Sequence, residues 1–436
     1  NNNLNNNNMT TTNNAQGQIS YKDKYGRNFL SPTLTETLKK VRHYVSITAL
    51  TVAFSQSAFA QNYQASTADK PLKIVNITEL EKEASRSMEK GAFGYVRGGA
   101  ENEQALRENT DSFDKKYIEP RILAGLNAKD IDMTTSLFGI PLSIPIIQAP
   151  MAAHGLAHVD GELATARGMI QAGSIPSLST YGNKTIEEVA QATGAGNPFF
   201  FQLYMSKNDA FNRFTIDRAK KSGAKAIILT VDAPVGGYRE DDVRNDFKFP
   251  LGFANLEAFL ATQNDGTKSG EGLGISEIFA QAKQNFTPED ITYVKKLSGL
   301  PVIVKGVQSP KDVDIAIKAG ADAIWVSNHG GRQLGSAPAT IDILPAIAKK
   351  VNKRVPIIFD GGVRRGSHVF KALASGADIV AVGRPIFYGL HLGGAQGVNS
   401  VMDLLKKELS INMMLAGTRN IKAVQKSKLL TEADFK

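Results

Sequence analysis

Apolar and polar positions along this chain fall into short β-branched runs separated by longer stretches of helical spacing. The runs lie at 144–149, 174–179, 198–204, 226–231, 301–304, 323–326, 356–359 and 379–382, and read as buried strands. Between them, 161–172, 208–221, 310–319, 341–350 and 366–375 are examples of helical patterns. Several of these helices end in a glycine that leads directly to the next strand, as in Lys318-Ala319-Gly320-Ala321-Asp322. Strand and helix in alternation mean a parallel sheet, and eight repeats without a reversal predict an α/β chain folded as a closed (β/α)8 TIM barrel. A doubly wound open sheet is the alternative, and no G-x-G-x-x-G turn follows the first strand to favour it.

Each run ends on a small or polar residue. In order these are Pro150-Met151-Ala152, Ser179, Gln202 with Tyr204, Thr230 with Asp232, Lys305-Gly306, Ser327 with His329, Asp360, and Gly383-Arg384. In a barrel all of them gather at the carboxyl-terminal face, where barrel enzymes keep their active sites. The sixth run continues as Ser327-Asn328-His329-Gly330-Gly331-Arg332-Gln333. It sets a potential proton acceptor three residues from a cation able to grip a carboxylate by two hydrogen bonds. A loop with a structural histidine would read similarly. The seventh continues as Asp360-Gly361-Gly362-Val363-Arg364-Arg365-Gly366. Glycines and arginines there and at Gly383-Arg384 make a phosphate cradle of the kind found after the last two barrel strands.

Taken together, these motifs resemble those of the FMN-dependent L-2-hydroxy acid oxidases and dehydrogenases, the family of glycolate oxidase, lactate oxidase and flavocytochrome b2. The resemblance runs from about residue 74 to the carboxyl terminus. Within the family, 150–158 and 351–365 look most like L-lactate oxidase. The resemblance implies FMN as cofactor and a small L-2-hydroxy acid as substrate. It makes His329 the active-site base, Asp232 the carboxylate that orients it, and Arg239 and Arg332 the clamp on the substrate carboxylate, with Tyr95 and Tyr204 as hydrogen-bond donors. Lys305 lies near N1 of the flavin; Ala152, Ser179, Gln202 and Thr230 line the isoalloxazine. Ser327 and Asp360 serve the ribityl chain, and Gly362, Arg364, Gly383 and Arg384 the phosphate. On spacing alone Tyr95 reads as a core tyrosine and Asp232 as a helix cap. Removal of the hydroxyl proton with hydride transfer, or removal of the α-proton instead, would use the same residues. Oxygen, or a quinone or cytochrome, would take the electrons; a non-catalytic FMN-binding barrel is the reading from another class. The family's common assembly is a homotetramer.

Of the other histidines, His43 and His368 read as solvent-facing, His154 and His158 as structural, and His391 as ambiguous. The 436 residues include no Cys, so disulfides, Cys metal sites and a catalytic thiol are excluded. No metal-ligand spacing occurs. Net charge is +9, of which residues 1–60 hold +4, from six Lys/Arg and two acids. No basic stripe with interleaved aromatics marks a nucleic-acid partner.

Residues 1–14 are nearly all Asn and Thr and predict a disordered start to the leader. Lys39-Lys40-Val41-Arg42, an apolar run at 45–54 and Ala58-Phe59-Ala60 then describe a secretory signal peptide, so 1–60 predicts export, with a cytoplasmic protein bearing an unstructured extension as the alternative. The domain reading is 1–60 leader, 61–73 exposed lead-in, and 74–436 the FMN-binding barrel. A helix at 76–90 is expected to close the bottom of the barrel. The long loop after strand four, 245–288, is expected to be a flexible lid over the substrate.

Overall fold

The computed structural model describes residues 63–263, 266–267 and 269–436, with three short backbone strands nearer the amino terminus. Those strands, Thr12–Asn13, Ile19–Lys22 and Asn28–Leu30, pair antiparallel in sequence order. The apolar run and cleavage motif of the expected signal peptide, and His43, lie outside the described residues.

Residues 64–436 form one compact unit. Its eight parallel strands are β1 (Ile146–Gln148), β2 (Ser177–Ser179), β3 (Phe200–Leu203), β4 (Ala226–Thr230), β5 (Val302–Val307), β6 (Ala323–Val326), β7 (Ile357–Phe359) and β8 (Ile379–Val382). Neighbours pair in sequence order, and β8 pairs with β1. Between β1 and β2 the ring is completed by the Gln148 N–H donating to Ile175 O at 3.2 Å and a parallel bridge from Met151 to Leu178. The sheet is therefore a closed barrel, and the open-sheet alternative falls away.

Each strand is followed by a helix that covers it: α1 (Glu162–Gln171), α2 (Ile186–Thr193), α3 (Asp209–Lys221), α4 (Pro288–Ser298), α5 (Pro310–Lys318), α6 (Thr340–Val351), α7 (Gly366–Ala374) and α8 (Arg384–Leu415). Side chains alternate across a strand. One set, including Ile146, Ile227, Ile324 and Val380, faces the helices; the other fills the barrel with Ile147, Phe200, Ile228, Ile303, Trp325, Ile358 and Ala381. Continuing that inward set by two residues reaches Gln202, Thr230, Lys305, Ser327, Asp360 and Gly383. The barrel interior is thus apolar for most of its length and polar at its last inward layer.

Three expectations about the periphery change. The floor is not closed by 76–90. A hairpin, Thr135–Leu137 with Ile140–Leu142, puts Leu137, Phe138, Ile140 and Leu142 against the barrel core, the Phe138 ring centre lying 6.4 Å from that of Phe200. The helix Ile77–Ser87 packs instead on α8, and the next, Lys90–Arg97, carries Tyr95 to the carboxyl-terminal face. Residues 63–73 are not a free lead-in either. Val159 N donates to Ser66 O, Lys70 N to Gly393 O and Leu72 N to Ser400 Oγ, which ties the segment to the barrel. The tie explains a kink in α8: a Cβ on Gly393 would sit 2.4 Å from Lys70 O, and Gly394 has φ +59°. Finally, His368 is buried, stacked 4.2 Å from the Phe113 ring, because α7 turns that face toward the Gly361–Gly362 loop.

Candidate active site

The carboxyl-terminal face opens into a cleft of about 1060 Å³. Tyr95, Ala152, Tyr204, Arg239, Lys305, His329, Arg332, Asp360, Gly362, Arg364, Gly383 and Arg384 all line it. Ser179, Gln202, Thr230 and Ser327 lie buried beneath, and Asp232 stands behind His329.

His329 follows β6 in a left-handed turn, with φ +59° at His329, +65° at Gly330 and +74° at Gly331. Histidine adopts that region at a cost, and a Cβ on Gly331 would lie 2.5 Å from Leu106 N. The turn aims the imidazole at Asp232, whose Oδ1 is 2.9 Å from Nδ1, and sets Tyr204 OH 3.0 Å from Nε2. Burial opposes the Asp232 charge, but His329 and Lys305 outweigh it and hold the carboxyl below its usual range. Burial lowers the His329 pKa; Asp232 opposes that, while Lys305 and Arg239 add to it. An ionised Asp232 can only accept, so Nδ1 bears the proton and Nε2 offers its lone pair to the cleft. Burial pushes the Tyr204 pKa well up, so its hydroxyl stays protonated and donates to that lone pair. A buried, neutral imidazole oriented by a carboxylate has the arrangement a general base needs.

Across from it stand two guanidiniums. Arg239 is buried; its Nε donates to Arg332 O and its Nη2 to Gln333 Oε1, both at 3.3 Å. Arg332 donates to Gly98 O at 2.7 Å, and its guanidinium carbon is 4.9 Å from the centre of the Tyr95 ring. Gln333 also donates to Asp232 O and Val235 O, which staples the loop after β4 to the loop after β6. A buried cation beside a half-buried one makes an anion site.

Below the clamp, polar side chains form two hydrogen-bonded chains. Ser179 Oγ donates to Gln202 Oε1 at 2.8 Å, and Gln202 Nε2 to Thr230 Oγ1 at 2.9 Å. Asp360 accepts from Trp325 Nε1 at 2.8 Å and Ser327 Oγ at 2.7 Å; Ser327 Oγ accepts from Lys305 Nζ at 3.2 Å and from His329 N at 3.0 Å. At the far end the cleft is lined by the first turn of α8 and by Gly361 and Gly362, whose φ values are +124° and +70°. The Arg384 side chain reaches toward the clamp, bonded to the carbonyls of Val96, Gly98 and Gly330. Arg364 is half-exposed at the glycine loop. A flavin mononucleotide fits this donor set: Lys305 is buried with one hydrogen bond, at 3.2 Å, leaving ammonium donors for the ring, and glycines, a helix amino end and Arg364 suit the phosphate.

Several lining residues were not singled out from the sequence. Phe249, Phe253, Tyr181 and Phe279 join the already named Tyr95 and Tyr204 in a continuous aromatic rim, with ring centres 5.0–6.1 Å apart, as between Phe249 and Phe253 at 5.0 Å and Tyr181 and Tyr204 at 5.2 Å. Phe249, Phe253 and Phe279 come from the insertion after β4, whose described residues include the helices Ala254–Thr262 and Ile275–Phe279. Asn109, from the helix Gln104–Asp111, exchanges two 2.8 Å hydrogen bonds with Asn328. Its carbonyl lies 2.1 Å from where a Gly362 Cβ would be, so it buttresses the loops after both β6 and β7. His154, His158 and His391 are buried and bonded to Thr165, Ala68 O, and Ser87 with Ala157 O, away from the cleft.

This barrel, with a base and clamp above a flavin cradle, is that of an FMN enzyme acting on 2-hydroxy acids. The chain belongs to the FMN-dependent dehydrogenase family, whose model matches residues 84–431, and FMN is its cofactor. It is 50% identical over 368 residues to an L-lactate oxidase of Lentilactobacillus hilgardii, covering 84% of this chain and 97% of that one. It is 41% identical over 358 residues to 2-hydroxyacid oxidase 1 of Mus musculus, covering 81% and 96%. Among solved structures, a crystal structure from Pediococcus acidilactici, provisionally a lactate oxidase, superposes with a TM-score of 0.79 at 50% identity over 85% of this chain and 98% of that one.

Proposed function

We propose that this chain oxidises L-lactate to pyruvate with oxygen as acceptor, giving hydrogen peroxide. The carrying observation is the neutral His329 imidazole, held by the ionised Asp232, in the same cleft as the Arg239–Arg332 clamp. The clamp holds the substrate carboxylate and so fixes which carbon meets the base. His329 Nε2 takes the proton, and Asp232 stabilises the imidazolium that results. Tyr204, kept protonated, donates to the same region. When bound, FMN supplies the acceptor for the electron pair. The aromatic rim excludes water and offers an apolar wall suited to a methyl group. L-lactate oxidases among the relatives support both lactate and oxygen.

The proposal extends to a homotetramer and an exported protein. Exposed Ile122, Leu123 and Leu415, brought together where Arg121 N donates to Leu415 O, supply apolar surface for assembly; the segment 39–60 supports export. The test is a panel of 2-hydroxy acids assayed with oxygen, then with a quinone or dye. Fastest turnover on L-lactate with stoichiometric peroxide is expected. Turnover only with the quinone would make the enzyme a dehydrogenase, and no bleaching of the flavin by any hydroxy acid would leave a binding barrel.

A further inference from the structure

Asp242 is a buried carboxylate that the reaction as described does not use. It sits in the short helix Glu240–Arg244 that starts immediately after Arg239. The three acids of that helix differ in their surroundings. Glu240 pairs with Arg244, and Asp241 with Arg97 and Arg244. Asp242 is only 9% exposed, and among the described residues neither of its carboxylate oxygens accepts a hydrogen bond. Its ion partner is Arg239, with Nη1 4.0 Å from Oδ2. Two acids already serve the amino end of this helix, so the helix gives no reason to bury a third. A carboxylate in this position carries a desolvation cost that raises its pKa, and the neighbouring cations offset that cost only in part. Those cations are the clamp: Arg239 and Arg332 both act on Asp242.

We propose that Asp242 is the counter-charge of the clamp, setting its strength toward anions so that the carboxylate product can leave. Two guanidiniums alone present +2 to a ligand; with Asp242 the site presents +1. Arginine does not shed its proton to relieve the repulsion, so the balance must come from a fixed acid. A grip tuned in this way holds a substrate monoanion without trapping the 2-oxo acid, which bears the same carboxylate. Asp242 acts through Arg239 and touches no reacting atom, so it is a positioning residue. The inference rests on the clamp reading given above.

The test uses the FMN-loaded enzyme, with oxalate and lactamide titrated against flavin absorbance. Asp242→Asn is expected to tighten oxalate binding by about tenfold, the Coulomb effect of removing one charge a few ångströms from a partly buried anion. Lactamide affinity should stay as in the parent, and kcat on L-lactate should fall with KM. Asp242→Glu, which keeps the charge, should keep the parent ratio of the two affinities. Asp242→Ser provides a second neutral variant should the Asn form fail to hold flavin. Unchanged or weaker oxalate binding in a flavin-loaded neutral variant, or equal shifts for both ligands, would overturn the proposal in favour of a structural role. A parent enzyme that binds lactate and lactamide alike would instead overturn the clamp itself.

Discussion

At the scale of single residues, the chemistry depends on keeping one imidazole neutral and pointed. Nδ1 is tied to Asp232 and Nε2 meets Tyr204, so a change at His329 removes the base without disturbing the cradle below. His329→Gln is expected to retain flavin while turnover falls by about two to four orders of magnitude. Stopped-flow reduction by L-lactate under nitrogen checks it, and near-parental reduction would place the base elsewhere. The pH profile follows from the same geometry. The His329 pKa is lowered, so the base is already deprotonated at pH values where an exposed histidine is half charged. The acidic limb of kcat/KM in the parent should therefore fall below the ordinary histidine value of about 6.5, and not above it. The pairing of His329 with Asp232 was legible only through the family motif. The two residues are 97 positions apart, and nothing in local spacing joins them.

Elements were more legible than the contacts between them. Strands betray themselves through β-branched runs and helices through their periodicity, both local properties, so the eight units and the residues ending them could be read directly. The floor hairpin, the aromatic underside of the insertion and the Asn109 buttress could not. Each is defined by a partner far along the chain, and the insertion's glycine- and serine-rich stretch at 264–272 masked the aromatics on either side of it. Asn109 offers a test at this scale. Asn109→Ala removes two of the hydrogen bonds of the buried Asn328 amide, which keeps only Pro338 O and Gly331 N, at a cost of about 1–3 kcal/mol. Because Asn109 borders both the base loop and the phosphate loop, flavin content and turnover should fall together, measured by flavin absorbance and oxygen uptake on the same preparation. Loss of turnover with full flavin content would confine its role to the His329 turn.

At the scale of the whole molecule, the compact unit begins at residue 64, ten residues earlier than the sequence motifs suggested. Motifs mark where chemistry starts, whereas the segment 64–73 belongs to the barrel through main-chain bonds that any side chain could make. Removing residues 1–60 should therefore leave flavin content, activity and melting temperature as in the full chain. Extending the cut through residue 73 breaks the bonds from Ser66, Lys70 and Leu72 and should lower the melting temperature by about 1–4 °C, as a loss of about 1–3 kcal/mol does in a unit of this size. Equal melting curves for the two truncations would show that the tie contributes nothing. If the leader is an export signal, mass spectrometry of the protein from its native host should find a new amino terminus near Gln61.

The last inward layer of the barrel also limits how this enzyme can change. Its polar groups reach the cleft because each stands an even number of residues beyond an apolar inward position on the same strand, as Lys305 follows Ile303 and Asp360 follows Ile358. Deleting one residue within a strand exchanges the two faces. The strand would remain hydrophobic, and its neighbours could still pair with it, but a lysine or aspartate would be driven into the helix layer while the cleft lost its ligand. Length variation is therefore confined to loops, and descendants of this chain can acquire new substrates by altering the insertion after β4 far more readily than by altering any strand.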